Sequence, residues 1–227
     1  MKISVVVPYL DEARALPETL AHLSTAAALH TNTEVIAVDG GSRDNSSALL
    51  AEYPAIRILS APCGRAVQMN AGAAAASGDV LLFLHADTHL PPTALGAIAI
   101  AASAPDFVYG GFRHRFSGDD WRLRRVSAIR NYHCAKAETF YGDQALFVRR
   151  KSFMAVGGFP QQPAEDIALS QRLRALGPPT FVGLEIVSSA RKFEQMGVWT
   201  SLARALAMLV YLRAGRTPPP AFFANIR

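Results

Sequence analysis

Cysteine is nearly absent from this chain: 227 residues include two, Cys63 and Cys134, with no Cys-x-x-Cys pair and no metal-ligand spacing. That excludes a disulfide framework and a thiolate-held zinc, and it fits a reducing compartment. Long apolar runs are missing as well. The most apolar late stretch, 196–212, is short for a membrane span and has Arg204 near its middle, so no transmembrane segment is expected. The start, from Met1 to Pro8, is too short for a signal peptide and runs straight into a strand. Charge is sparse at 18% of residues against 50% hydrophobic, which excludes a disordered chain. No linker is long enough to separate domains, so one domain over 1–227 is expected, with a front half at 1–90 and a back half at 91–227.

What is present alternates. Ile3–Val7, Glu34–Val38, Ala55–Leu59 and Val80–Leu84 read as apolar strands. Helical patterns follow at Leu16–Ala27, Ser46–Glu52 and Ala66–Ser77, the last stopped by Gly78. Such alternation implies an α/β fold with a mixed, mainly parallel sheet flanked by helices. After Asp87 the rhythm changes. Pro91-Pro92 opens a helix to about Ala102, and Phe107–Phe116 and Gln144–Val148 read as strands around a basic helix at Trp121–Ala135. Glu165–Leu176 is helical, Phe181–Val187 is a last strand, and an amphipathic helix is expected over 198–213. The net charge of +5 suits an anionic ligand or surface. Seven basic side chains lie between Arg113 and Arg130, and a solvated helix face explains them more simply than a nucleic-acid site, so no nucleic-acid partner is expected.

Two motifs place a carboxylate just past a buried strand: Val38-Asp39-Gly40-Gly41-Ser42 and Phe83-Leu84-His85-Ala86-Asp87. Ligands of open α/β sheets bind beyond the carboxyl ends of such strands, so Asp39 and Asp87 point at one site. One carboxylate there can hold Mg²⁺ or Mn²⁺ while phosphate oxygens fill other positions. A continuing strand would put His85 on the same side as Asp87, as a metal ligand or a neighbour. Arg65, Gln68 and Asn70 surround a helix start, where free amides and a cation favour phosphate. Glu165-Asp166 opens a helix and suits its dipole; Asp166 is also a candidate general base. Gly142-Asp143-Gln144 is a polar turn in which Asp143 can contact an acceptor.

Together these segments resemble a family 2 glycosyltransferase with the GT-A fold, over most of the chain to about Leu176. Val5-Val6-Val7-Pro8-Tyr9-Leu10-Asp11-Glu12 is similar to the family's opening strand and base-holding turn. Gly64 to Gly72 resembles the segment that brings a basic residue and an Asn to the nucleotide. His85-Ala86-Asp87 stands where the family has Asp-x-Asp, with the first Asp replaced. The resemblance implies a nucleoside diphosphate sugar donor near Pro8, Tyr9, Glu12, Asp39, Gly41, Arg65, Asn70, His85, Ala86 and Asp87. It also implies Mn²⁺ or Mg²⁺ at Asp87, an acceptor near Asp143, Gln144 and Glu165, and Asp166 as the base of an inverting transfer to a hydroxyl. No histidine follows His133, so a C-terminal metal-binding His is missing, and Arg191 or Lys192 is a candidate to neutralise the leaving group. The run Phe-Leu-His-Ala-Asp-Thr with Gly142-Asp143-Gln144 resembles a small soluble bacterial subgroup linked to arsenosugar biosynthesis and radical-SAM-associated clusters. A small-molecule or lipid-linked acceptor is implied, in the cytoplasm, with peripheral contact at the inner face of the membrane. Two other readings stand beside it. A sugar nucleotidyltransferase would want glycines after the first strand, where Pro8-Tyr9-Leu10-Asp11-Glu12-Ala13 has none. A non-catalytic nucleotide-sugar-binding partner would tolerate the His85 replacement.

Overall fold

A computed structural model describes residues 1–201, together with 203 and 207. The first four strands are β1 (Ile3–Tyr9), β2 (Thr33–Asp39), β3 (Ile56–Ser60) and β4 (Val80–Phe83), separated by α1 (Leu16–Leu29), α2 (Ser46–Ala51) and α3 (Arg65–Ala75). Then follow β5 (Thr88–His89), α4 (Ala94–Ala102), β6 (Tyr109–Phe116), α5 (Trp121–Ala137), a 3₁₀ turn at Gly142–Gln144 and β7 (Phe147–Arg149). The described elements end with α6 (Arg150–Ala155), α7 (Glu165–Arg174), β8 (Thr180–Ser188) and α8 (Arg191–Met196).

All eight strands join one sheet in the order β3-β2-β1-β4-β7-β6-β8-β5. The β3-β2-β1-β4 part is parallel throughout. Beyond it β7 runs antiparallel to both β4 and β6, β8 parallel to β6, and β5 antiparallel to β8. Mixed and mainly parallel is therefore the observed sheet. Every residue of β1 is buried, because Ile3, Val5 and Val7 join one apolar layer and Val6 the other. Such a strand has no solvent-facing side, as expected for a parallel strand covered on both faces, and its one hydroxyl on the Val6 side, Ser4, is bonded to Glu34. Helix α3 lies directly on β1: a Cβ at Gly72 would stand 2.4 Å from Val6 Cγ1.

Several boundaries differ from the sequence reading, each for a physical reason. The strand expected at Gln144–Val148 begins only at Phe147, because Gln144 closes a 3₁₀ turn and Ala145 adopts left-handed backbone (φ 48°). Gly78 does not cap α3, which ends at Ala75 with an extended Ala76. It permits close strand approach instead, since a Cβ there would meet Ser4 Oγ at 2.5 Å. The strand after Val80 stops at Phe83, and His85 to Asp87 form a turn in which the Thr88 amide donates to the His85 carbonyl (3.1 Å). The period-of-two argument for His85 therefore fails. Short α6, β5 and α8 carry too few residues for periodicity to reveal. The helix expected over 198–213 is helical at 198–201, and the rest lies outside the described residues apart from 203 and 207.

Candidate active site

At the carboxyl ends of β1 and β2, Tyr9 pairs with Asp39. Asp39 Oδ1 accepts from the amides of Gly41 (3.0 Å) and Ser42 (2.8 Å) and from Ser42 Oγ (2.7 Å), and Oδ2 accepts from Ser47 Oγ (3.0 Å). Gly41 sits at φ 95°, a conformation that costs glycine little. Burial raises the Asp39 carboxyl, but the bonds from Ser42, Ser47 and Gly41 outweigh it and hold it below its usual range. The neighbouring turn is laced to this one. Asp11, itself left-handed at φ 53°, accepts from the Arg43 amide (2.7 Å), while Asp44 accepts from the Ala13 amide (2.9 Å). Buried Gln68 reaches over from α3 to donate to the carbonyls of Tyr9 (2.8 Å) and Val38 (2.9 Å). Pro8 and the Tyr9 side chain are buried, and the Tyr9 hydroxyl meets Ser47 Oγ at 3.3 Å.

The turn carrying Asp87 is pinned on both sides. Thr19 Oγ1 on α1 donates to the Ala86 carbonyl (2.8 Å), and the Ser189 amide to the Asp87 carbonyl (3.0 Å). His85 and Asp87 open into a cleft of about 180 Å³ whose walls include Arg65, Arg130, Tyr141, Gly142, Asp143 and Asp166. Asp166 Oδ2 accepts from the Gly142 amide (2.5 Å) and Oδ1 from the Ile167 amide (2.8 Å). Burial and adjacent Glu165 push its carboxyl above the usual range, and Arg65 with the two amides only partly offset them. Gly142 packs tightly here: a Cβ would stand 2.7 Å from His85 Nε2 and 3.3 Å from Asp166 Oδ2.

Asp143 is the opposite case. Arg130 Nη2 donates to Oδ1 (2.5 Å) and His114 Nε2 lies 3.6 Å from Oδ2. Burial would raise this carboxyl, but Arg130, joined in acid by protonated His114, wins and holds it far below its usual range. The Arg130 guanidinium also lies over the Tyr141 ring, 4.6 Å from its centre. His114 is wholly buried, its Nε2 is 2.6 Å from Ser188 Oγ, and burial lowers it to about 4, so it is neutral at pH 7.

The other expected residues are placed as follows. Half-exposed Arg65 donates from Nε to buried Glu165 (2.5 Å), which keeps Glu165 beside Asp166 at the start of α7. Asn70 brackets Phe159, donating to its carbonyl (2.8 Å) and accepting from its amide (2.9 Å). Gln144 lies beneath the 3₁₀ turn, accepting from the Tyr141 amide (3.0 Å) and from Cys134 Sγ (2.9 Å). Arg191 pairs with Glu12 (2.9 Å); the side chain of Lys192 lies outside the described residues. Arg130, His114 and Tyr141 were not singled out from sequence as site residues. A signal for Arg130 existed: Leu123, Val126, Ser127, Arg130 and Cys134 follow a helical stripe, and the other four are buried.

Among the described residues no helix is long and apolar enough to cross a membrane. The sequence profile of Glycosyl transferase family 2 matches residues 4–159. Undecaprenyl-phosphate 4-deoxy-4-formamido-L-arabinose transferase of Aeromonas hydrophila is 32% identical over 143 residues, which are 60% of this chain and 44% of that protein. The enzyme of the same name from Proteus mirabilis is 31% identical over 144 residues, again 60% and 44%. The chain thus spans less than half the length of these curated relatives. Among solved structures, S. aureus TarS 1–349 in complex with UDP-GlcNAc superposes with a TM-score of 0.68 at 17% identity, over 83% of this chain and 58% of that one. The mannosyltransferase PcManGT from Pyrobaculum calidifontis, in complex with GDP-Man and Mn²⁺, gives 0.67 at 19% identity, over 99% and 67%. The chain belongs to glycosyl transferase family 2, and its fold is that of these glycosyltransferases.

Proposed function

We propose that this family 2 member transfers a sugar from a nucleoside diphosphate sugar to an acceptor hydroxyl, with inversion at the anomeric carbon. The observation that carries the reading is the cleft itself, where Asp87 from the front half meets Asp166 from the back half. The laced turns around Asp11 and Asp39 form a rigid edge for the nucleoside, in keeping with 1–90 as the donor half and 91–227 as the acceptor half. Asp87 fits a hard divalent cation, because it is a hard oxygen donor on the wall of an open cleft that Arg65 and Arg130 also line, where a phosphate group would complete the cation's oxygen shell. When bound, Mn²⁺ or Mg²⁺ would offset charge on the departing diphosphate. Arg65, half exposed at the same wall, adds a protein cation. Asp166 takes the proton of the attacking hydroxyl; its raised pKa brings it closer to a useful base at neutral pH, and the Gly142 amide holds it in place.

A hydroxyl acceptor is favoured by that base, and the arsenosugar-linked subgroup falls under this reading. A polyprenyl phosphate acceptor is the second reading, favoured by the names of the curated relatives. A phosphate oxygen arrives ionised and needs no base, so the two differ in their dependence on Asp166. The proposed location is cytoplasmic, with contact at the inner face of the membrane if the acceptor is lipid-linked.

Thermal unfolding with UDP, GDP, CDP and dTDP, each with Mn²⁺ or EDTA, tests the donor half. A stabilisation by one nucleotide that EDTA removes is expected. No stabilisation by any of them would contradict donor binding.

A further inference from the structure

We propose that Glu18, His22 and His89 form a second cation site, for an imidazole-preferring divalent metal such as Zn²⁺, on the outer side of the Asp87 turn. Glu18 and His22 are four residues apart on α1, so their side chains share one helix face, and that face is exposed. His89 comes from β5 and is half-buried beside them. Its Nδ1 lies 3.5 Å from Glu18 Oε1, and its ring stacks on His22 with centres 4.8 Å apart. One ligand atom from each of the three residues falls within 4.8 Å of the other two. Tetrahedral zinc with bonds of about 2.1 Å needs ligand atoms about 3.4 Å apart and both ring planes turned toward the ion, so the exposed His22 ring must swing out of its parallel stack on His89 and Glu18 must turn with it. Water would complete the fourth position.

The donor set separates this site from the cleft. Two imidazoles and one carboxylate select Zn²⁺, Ni²⁺ or Cu²⁺ over Mg²⁺, whereas a lone carboxylate with phosphate oxygens suits Mg²⁺ or Mn²⁺. None of the three residues lines the cleft. Their place still bears on it. Thr19, beside Glu18, already ties α1 to the Ala86 carbonyl, and His89 stands two residues beyond Asp87. A metal bridging α1 to β5 would be a second tie on the segment that carries Asp87, made from outside.

The test uses untagged protein stripped with EDTA and titrated with Zn²⁺ alone by calorimetry, then with Co²⁺ followed by its visible absorption. One Zn²⁺ per chain and a tetrahedral Co²⁺ spectrum are expected. H22Q and H89Q should each weaken Zn²⁺ binding at least about tenfold, since loss of a ligand costs no less than loss of its supporting partner. E18Q should weaken it as well. Unchanged melting temperatures in EDTA would verify that these surface variants fold. Asp87→Asn should leave Zn²⁺ affinity unchanged while lowering Mn²⁺-dependent nucleotide binding, so failure here and failure of the transferase reading are distinguishable. Absence of stoichiometric Zn²⁺ binding, unchanged affinity in the three ligand variants, or loss of Zn²⁺ in Asp87→Asn would each overturn the proposal.

Discussion

The β2 turn in the front half and the back wall of the cleft hold their carboxylates in different ways. At the end of β2, outside the cleft lining, Asp39 is satisfied by amides and hydroxyls two to eight residues further along the chain. On the back wall Asp143 is held by Arg130 from α5, and Asp166 by the adjacent Ile167 amide together with an amide twenty-four residues away. Local amides make a turn that is stiff and whose carboxylate stays ionised, which suits binding. Buried charges set against one another can have their protonation moved either way. Asp143 goes far down and Asp166 goes up within one cleft. The proposed transfer, which asks for one fixed anion and one base, would draw both from that arrangement.

The comparison can be broken at several points. Arg130→Met would strand a part-buried Asp143, and denaturant unfolding should show a loss of about 2 kcal/mol, below the range for a fully buried pair. Adding Asp143→Leu should recover much of it; a single variant as stable as the wild type would mean the pair is not balanced as described. Gly142→Ala would push a methyl group against His85 and Asp166. Transfer should fall by a factor of about 10 to 10² with the fold intact, as kinetics and circular dichroism would show. Asp39→Asn, at the end of β2, should cost about 1 kcal/mol and weaken nucleotide binding.

The smallest effect concerns pH. At the far end of the front strands burial opposes ionisation of Glu34, but bonds from Ser4, Ser77 and Lys2 prevail and lower it from 4.5 to about 2. A depressed carboxyl contributes stability above its unfolded pKa and loses it as pH falls through the folded one. Melting temperature should therefore drop more steeply between pH 4.5 and pH 2 in the wild type than in Glu34→Gln. Equal slopes would remove Glu34 from the account.

The same contrast explains what could be read in advance. The front strands and the Asp39 turn were legible because strand, glycine and carboxylate are contiguous in sequence. Asp166 was legible by its place at a helix start. The back wall's remaining partners were not, because nothing local links Arg130 to Asp143 or His114 to Ser188; β6, α5 and β8 must first be packed. Gln144 looked like an acceptor residue in a polar turn, yet its amide is spent holding Tyr141 and Cys134. Asn70 likewise brackets Phe159, a contact that no spacing foretells.

The most direct test is Asp166→Asn, with donor affinity and transfer measured on the same protein. Unchanged donor affinity with transfer lower by a factor of about 10² to 10⁴ is the predicted result. Transfer at the wild-type rate would contradict it, and would point to an acceptor that arrives already ionised.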